Sequence, residues 1–487
     1  MNQTLGQKLL RIKSGEETPT HADGADGKAL ERSLGIFSLA MIGVGATIGT
    51  GIFFTMAIAV PKAGPSVILS FLIAAITAGL TALCYAELSF RIPASGSSYS
   101  FAYASLGEFA AFSMAACLLL EYGLAASATA IGWSDYLNNF LINATGWQVP
   151  AALHSPMLVQ GTHATEFHPG QFNLPPVILV MLCVLLLIKG TSESAAVNTT
   201  MVLIKLAILV FFAAIAFSGF DSKNLHPFFN TDGMTGVAGA AGTVFFSFIG
   251  LDTVATAGAE VRNPKRSVPI AILSALGVVT VFYLLVAVAA VGAQPAAKFQ
   301  DQEAGLSVIL QNVTGKTWPA LVLSAGAVIS VFSVTLVTIY GQTRILFTIS
   351  RDGLIPKVFQ RVNARTRTPV ANTLIVGAVV AVVAGLVDAN FLWDMVSMGT
   401  LTAFIVVSIA VPIMRRKEKD KPIPPGAFRV PFGPYVVPAL SIFACLFIMK
   451  DLSAMTFRIF FIWMAAALFV YFAYGLRHSR LNTALRE

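Results

Sequence analysis

Along the chain, apolar stretches of about 20 residues, the length that crosses a hydrocarbon core, alternate with short polar connections. The pattern predicts twelve helical spans, at 35–59, 65–90, 108–140, 175–190, 197–219, 236–260, 268–293, 318–348, 370–387, 391–414, 433–450 and 454–475. Before Leu34 the chain is polar and broken by Gly15, Pro19, Gly24 and Gly27, with no apolar run to serve as a signal peptide, so it reads as a tail. Two spans are interrupted. Span 1 carries Gly43, Gly45, Gly49 and Gly51 within Ile42–Phe53, and each glycine costs a helix about 1 kcal/mol relative to alanine. Span 6 reads FFSFIGLDTVATAGAEV over 245–261, with Gly250 and Asp252 in mid-segment and Gly258 and Glu260 beyond.

Composition fixes the class. Hydrophobic residues are 56% of the chain, charged residues 11%, and the mean hydropathy is +0.76, as in polytopic membrane proteins and unlike soluble ones. The net charge of +8 does not indicate nucleic acid, because the basic residues sort by loop. With the N-terminus placed in the cytoplasm, 25 of the 32 Lys and Arg sort to the cytoplasmic side and 6 to the outside, which leaves Lys205 alone well inside a span. That bias is expected for an even number of spans with both termini cytoplasmic. The run Arg415 to Lys421 is then a topology signal, in preference to a lipid-headgroup or RNA patch. Cys84, Cys117, Cys183 and Cys445 fall within spans without a CxxC pair and read as packing residues. His154, His163 and His168 share the loop 141–174 in no metal-ligand spacing.

Inside a bilayer, backbone freed from helical hydrogen bonding is tolerated only where it lines a cavity or meets a ligand. The glycines of span 1 therefore predict a broken helix with a ligand at the break; the competing reading, a GxxxG packing face through Gly45 and Gly49, stays open. Spans 1–5 and 6–10 each hold an odd number of crossings, so if they share a fold they are inverted relative to each other, and span 6 supplies the matching break. Half-helix N-termini suit a carboxylate and half-helix C-termini suit an ammonium. Two crossed broken helices thus predict an α-amino acid, which carries both charges on one carbon.

Four stretches together resemble one family. They are the glycine run 42–53, AEVRNPKRSVP at 259–269 after span 6, CYAEL at 84–88, and GQTRILFTISRDGLIPKVF at 341–359. In this order they are similar to the amino acid–polyamine–organocation superfamily, and within it to bacterial relatives of the cationic amino acid transporters, over about residues 30–480. The resemblance implies an all-α polytopic membrane protein of the leucine-transporter type, a 5+5 inverted repeat with broken helices 1 and 6, plus two extra helices, working by alternating access. Its parts would be a cytoplasmic tail at 1–33, a first repeat at 34–219, a second at 236–414, helices 11 and 12 at 431–475, and a second tail at 476–487.

Carried over residue by residue, the resemblance implies that the substrate carboxylate meets the backbone around Thr47, Ile48, Thr50 and Gly51. The amino group would meet carbonyls near Phe246, Ser247 and Ile249, with an aromatic gate above, and Thr338 in span 8 would limit side-chain size. Lys205 would stand where sodium-coupled relatives hold a sodium ion and make transport proton-linked; the bland alternative is a lysine that snorkels to the headgroups. Glu121, deep in span 3, either meets the substrate path and moves protons or pairs statically with Lys205 or a hydroxyl. Asp252 is expected to cap the broken backbone of span 6, and Glu87 and Glu260 to pair with Arg91, Arg262 or Arg266.

No enzyme motif survives inspection. GVGATIG follows no strand and lacks the full dinucleotide spacing, and HExxH, GxSxG and Walker sequences are missing, which argues against nucleotide-driven transport. A channel would want polar stripes or charge rings along several spans. The expectation is a secondary active amino acid permease of the cell membrane, a proton symporter without cofactor or metal, whose partners are an amino acid, a proton and the lipid bilayer, with no nucleic acid or nucleotide. An uncoupled exchanger or facilitator and a membrane amino acid sensor are the alternatives. Preference between cationic and small neutral substrates stays open.

Overall fold

A computed structural model describes residues 5–13, 35–92, 96–160, 165–189, 194–256, 261–300, 302, 305–364, 366, 368–420, 422 and 426–482. Glu260, His163 and the basic residues Lys28, Arg32, Arg365, Arg367, Lys421 and Arg486 lie outside the described residues.

Every predicted span is occupied by helix. After a short α1 (Leu5–Leu9), span 1 comprises α2 (Ile36–Thr47) and α3 (Thr50–Ala63), followed by α4 (Val67–Arg91), α5 (Ser97–Ser105) and α6 (Glu108–Thr145). Spans 4 and 5 are α7 (Leu174–Lys189) and α8 (Ser194–Ser218). Span 6 comprises α9 (Gly233–Phe245), a 3-10 turn at Phe246–Phe248 and α10 (Thr253–Thr256). Then come α11 (Pro264–Ala293), α12 (Gly305–Thr314), α13 (Trp318–Arg351), α14 (Val370–Leu386), α15 (Ala389–Lys417), α16 (Val436–Met449) and α17 (Ala454–Val470). Eight described helical segments are long and apolar enough to cross a membrane, and four shorter apolar helices accompany them.

Three features were not legible in the apolar pattern. Two helices, α5 and α12, are loop elements rather than spans, because each is under twelve residues and flanked by polar turns. The loop 141–174 folds a small antiparallel hairpin, β1 (Leu158–Gln160) with β2 (Thr165–Phe167), in which Leu158 faces Phe167, so the all-helical bundle carries one short ribbon outside it. Span 3 runs to Thr145, five residues past its expected end, because polar residues of its last turns, Asn138 and Asn139, are held by Val149, Ser307 and Ser324.

The helices sort by what surrounds them. In the most apolar stretch of α6, 72% of the residues are buried, against 17% for the last helix, so α6 is the central post and α17 a peripheral strut. Helix α13 shares the largest interface with α6, and α15 the next on that helix. Apolar side chains such as Leu182, Val379, Phe443 and Phe469 are turned outward, the expected price of lipid as solvent. The post and its neighbours enclose both interrupted spans.

Candidate functional site

Span 1 stops being helical where the sequence places its glycines. Helix α2 ends with the Ile48 amide bonded to the Val44 carbonyl, Ile48 is extended, and α3 restarts at Thr50. Span 6 behaves alike: the 3-10 turn ends at an extended Ile249, and Gly250 follows at φ +106°, in the left-handed region that favours glycine. The two breaks touch. A Cβ on Gly250 would stand 2.9 Å from the Ala46 carbonyl carbon and oxygen, and one on Gly51 would collide with Ser247 Cα and Cβ. The packing reading of the glycines holds as well, since Gly45 backs onto Val202 and Gly49 onto Val334.

A cleft of about 420 Å³, counted with its open mouth, lies where these breaks meet α6 and α13. Its walls are Ala46 and Thr47 from span 1, Phe246, Ile249, Gly250 and Thr253 from span 6, Glu121, Tyr122, Ala125 and Thr129 from α6, and Val334 and Thr338 from α13. Five residues picked out from the sequence therefore converge on one cleft: Thr47, Glu121, Phe246, Ile249 and Thr338. Ile48, Gly51 and Ser247 stand behind its walls. Thr50 opens α3, and its side chain lies outside the described residues.

Those second-row groups are engaged with one another. Ser247 Oγ lies 3.2 Å from Thr55 Oγ1, and the Phe246 carbonyl accepts the Ile249 amide. The phenol of Tyr283, on α11, lies 2.7 Å from the Thr47 carbonyl oxygen and 2.6 Å from that of Ser247. One O–H proton is thus shared between the two breaks. Sequence reading missed Tyr283, a single tyrosine in an apolar run whose only signal was its polarity.

Lys205 is fully buried and does not reach the cleft. Its ammonium donates to the carbonyls of Gly45 and Ile48, each at 2.9 Å, and to Ser333 Oγ at 3.2 Å. The snorkelling alternative does not describe this geometry, because the side chain turns inward to the break. Nor does a static pair with Glu121. Glu121 is itself buried, with Oε1 lacking a protein partner, and faces the cleft from α6. The Asp252 carboxylate accepts the Tyr122 hydroxyl at 2.7 Å and also the backbone amides of Asp252 and Thr253, so it caps the broken backbone as expected and ties span 6 to α6, while its carbonyl takes the amides of Ala255 and Thr256.

A row of aromatic rings runs from Phe246, which lines the cleft, across α15 and α3 to α6. Phe246 meets Trp393 of α15 edge-on at 4.1 Å, Trp393 lies 6.3 Å from Phe54 of α3, and Phe54 packs against Tyr136 at 5.1 Å. Trp393 is distant in sequence from both breaks and carried no local signal. Glu87 pairs with Arg91, as its i,i+4 spacing predicts, and also with Arg415, which sequence spacing could not reveal. Arg91 in turn contacts Glu418. Part of the basic run at 415–421 is therefore engaged inside the protein.

The sequence matches the amino acid permease family over residues 34–476. It is 40% identical to the branched-chain amino acid permease of Bacillus subtilis (strain 168) over 477 residues, 98% of this chain and 97% of that protein. Over 456 residues it is also 40% identical to the methylthioribose transporter of the same organism, covering 93% and 96% of the two chains. To human cationic amino acid transporter 4 it is 32% identical over 440 residues, 87% of this chain and 65% of the relative.

Proposed function

The chain belongs to the amino acid permease family, a multi-pass membrane permease rather than an enzyme, and on that premise we propose that it is a proton-coupled symporter of an α-amino acid. In this reading spans 1–5 (34–219) and 6–10 (236–414) form a 5+5 inverted repeat of the leucine-transporter type, residues 431–475 supply two extra helices, and both termini face the cytoplasm. The substrate sits at the crossing of the breaks. Backbone of Thr47 to Gly51 takes its carboxylate, carbonyls of span 6 at Phe246 to Ile249 take its amino group, and its side chain points to Thr338 and Glu121.

The observation that carries the coupling is the position of Lys205. Its ammonium spans the non-helical turn of span 1, holding one carbonyl before the break and one at it, together with Ser333 of α13. A charge buried there needs those partners, and loss of its proton would remove the force that holds the half-helix against α8 and α13. Proton binding from outside, closure of the half-helices over the amino acid, opening inward and proton release then form one cycle of alternating access.

The relatives transport different cargo, so the test must span them. Purified protein in liposomes is given radiolabelled alanine, leucine, arginine, putrescine or methylthioribose, with and without an inside-alkaline pH gradient. Gradient-stimulated accumulation of an amino acid is the expected result. Saturable binding without accumulation would make the protein a sensor, uptake indifferent to the gradient would make it an exchanger or facilitator, and accumulation of methylthioribose alone would overturn the amino acid assignment.

A further inference from the structure

A polar knot lies at the Arg351 end of the bundle, away from the cleft. The segment 5–13 is seated there. Arg11, 7% exposed, donates to Glu108 Oε1 at 2.9 Å and to Asn482 Oδ1 at 2.6 Å, and Lys13 Nζ stands 2.8 Å from Asp352 Oδ1. Glu108, wholly buried at the start of α6, also accepts the hydroxyls of Tyr103, Tyr471 and Ser479. The receiving surface is shaped for the segment: Gly107 has φ +105°, and a Cβ there would stand 2.9 Å from the Leu10 carbonyl carbon. Two buried or nearly buried carboxylates thus receive their cations from nine residues at the N-terminal end of the chain. Removing either cation leaves a carboxylate without its charge partner, which is costly.

From this knot two sets of hydrogen bonds, joined through α5, lead to the cleft. Asp352, whose Oδ1 takes Lys13, accepts at Oδ2 the hydroxyl of Tyr99 on α5, 2.7 Å away. Burial, with Asp352 beside it, pushes the Tyr99 phenol well above its usual range, which keeps it a donor. Two residues earlier on α5, Ser97 Oγ lies 3.5 Å from the Asp252 carbonyl oxygen, and Asp252 holds Tyr122, which lines the cleft.

We infer that residues 5–13 are a tethered basic ligand of a docking site built on Glu108 and Asp352, and that docking strengthens substrate binding through Tyr99, α5, Asp252 and Tyr122. The inference rests on the cleft being the substrate site. Because coupling between sites is reciprocal, docking must tighten substrate binding by the same factor as substrate tightens docking.

The test uses full-length protein carrying Arg11→Ala and Lys13→Ala, in lipid nanodiscs, with a fluorescein-labelled peptide of residues 5–13 followed by anisotropy. Saturable peptide binding is expected to this variant and not to the wild type, whose site is filled. Adding Asp352→Asn should weaken it about tenfold, the size of a lost charge-assisted hydrogen bond. Saturating amino acid, whichever of alanine, leucine and arginine the wild type binds, should tighten the peptide about fivefold, and peptide should tighten the amino acid equally. Tyr99→Phe, which takes one donor from Asp352, should still bind the peptide saturably, at most about tenfold more weakly, and should reduce that coupling factor to one. Absence of peptide binding, equal binding to the wild type, or a factor of one before Tyr99 is changed overturns the inference. A wild type that binds none of the three amino acids overturns the transport reading and the coupling with it, whatever the peptide does.

Discussion

Lys205 Nζ lies 2.9 Å from the carbonyl oxygen of Ile48, the residue at which span 1 leaves helical geometry. A long side chain from α8 therefore does at the break what a bound cation could do, and the charge can be removed by one proton. Lys205→Ala is expected to abolish accumulation driven by an inside-alkaline gradient while leaving measurable exchange of labelled for unlabelled substrate. Liposome uptake at matched and unequal pH checks it; undiminished acid-stimulated accumulation in the variant would remove Lys205 from the coupling.

Thr338 and Val334 form the wall supplied by α13, one helical turn apart. Thr338→Met adds volume on that wall without charge. Alanine transport should persist and that of leucine and arginine should fall at least about tenfold, as overpacking a filled pocket costs roughly 1–3 kcal/mol. Competition of each amino acid against labelled alanine gives the answer, and equal loss of all three contradicts the placement.

Tyr122→Phe deletes the hydroxyl donated to Asp252 and leaves a buried carboxylate short of a partner. The expected cost is about 1–3 kcal/mol. It should be felt as weaker substrate binding, because both groups belong to the walls or supports of the cleft. Equilibrium binding to the purified variant measures it; an unchanged Kd would restrict this bond to a structural role.

Tyr283→Phe keeps the ring between Phe71 and Phe248 but strips the shared proton from the Thr47 and Ser247 carbonyls. A loss of thermal stability of about 1–3 kcal/mol is expected. Thermal unfolding in detergent tests this directly.

Gly51→Ala is the steric counterpart. Its new methyl would meet Ser247 Cα at a distance no carbon pair sustains, so the breaks must separate. Folded yield or transport should collapse, whereas Gly277→Ala, with open space around it, should be silent in both.

The outline of this fold was legible because lipid imposes a length on every apolar run, and both breaks were legible because glycines, which also serve close packing, fall in mid-segment of two spans in corresponding places. Thr47, Phe246 and Thr338 could be placed by motif. What escaped were residues whose importance is a relation in space. Tyr283 and Trp393 sit in spans with ordinary patterns and Arg415 opens a basic run just past one, and only packing brings them to Ser247, Phe246 and Glu87. The same limit applied to the N-terminal tail: Arg11 and Lys13 counted correctly as basic residues, but nothing local announced the two distant carboxylates that bind them.

The edge-on contact of Trp393 with Phe246 gives the molecule an optical signal of its own. Of the five tryptophans, Trp147 and Trp318 are already more than half exposed, while Trp393 is only 5% exposed between rings of spans 1 and 6. An indole in such surroundings emits at short wavelength, and water admitted by parting rings would shift that emission to the red. With Trp133, itself only 8% exposed, replaced by phenylalanine, the protein's own fluorescence, unlabelled and in real time, would then report each opening of the cleft.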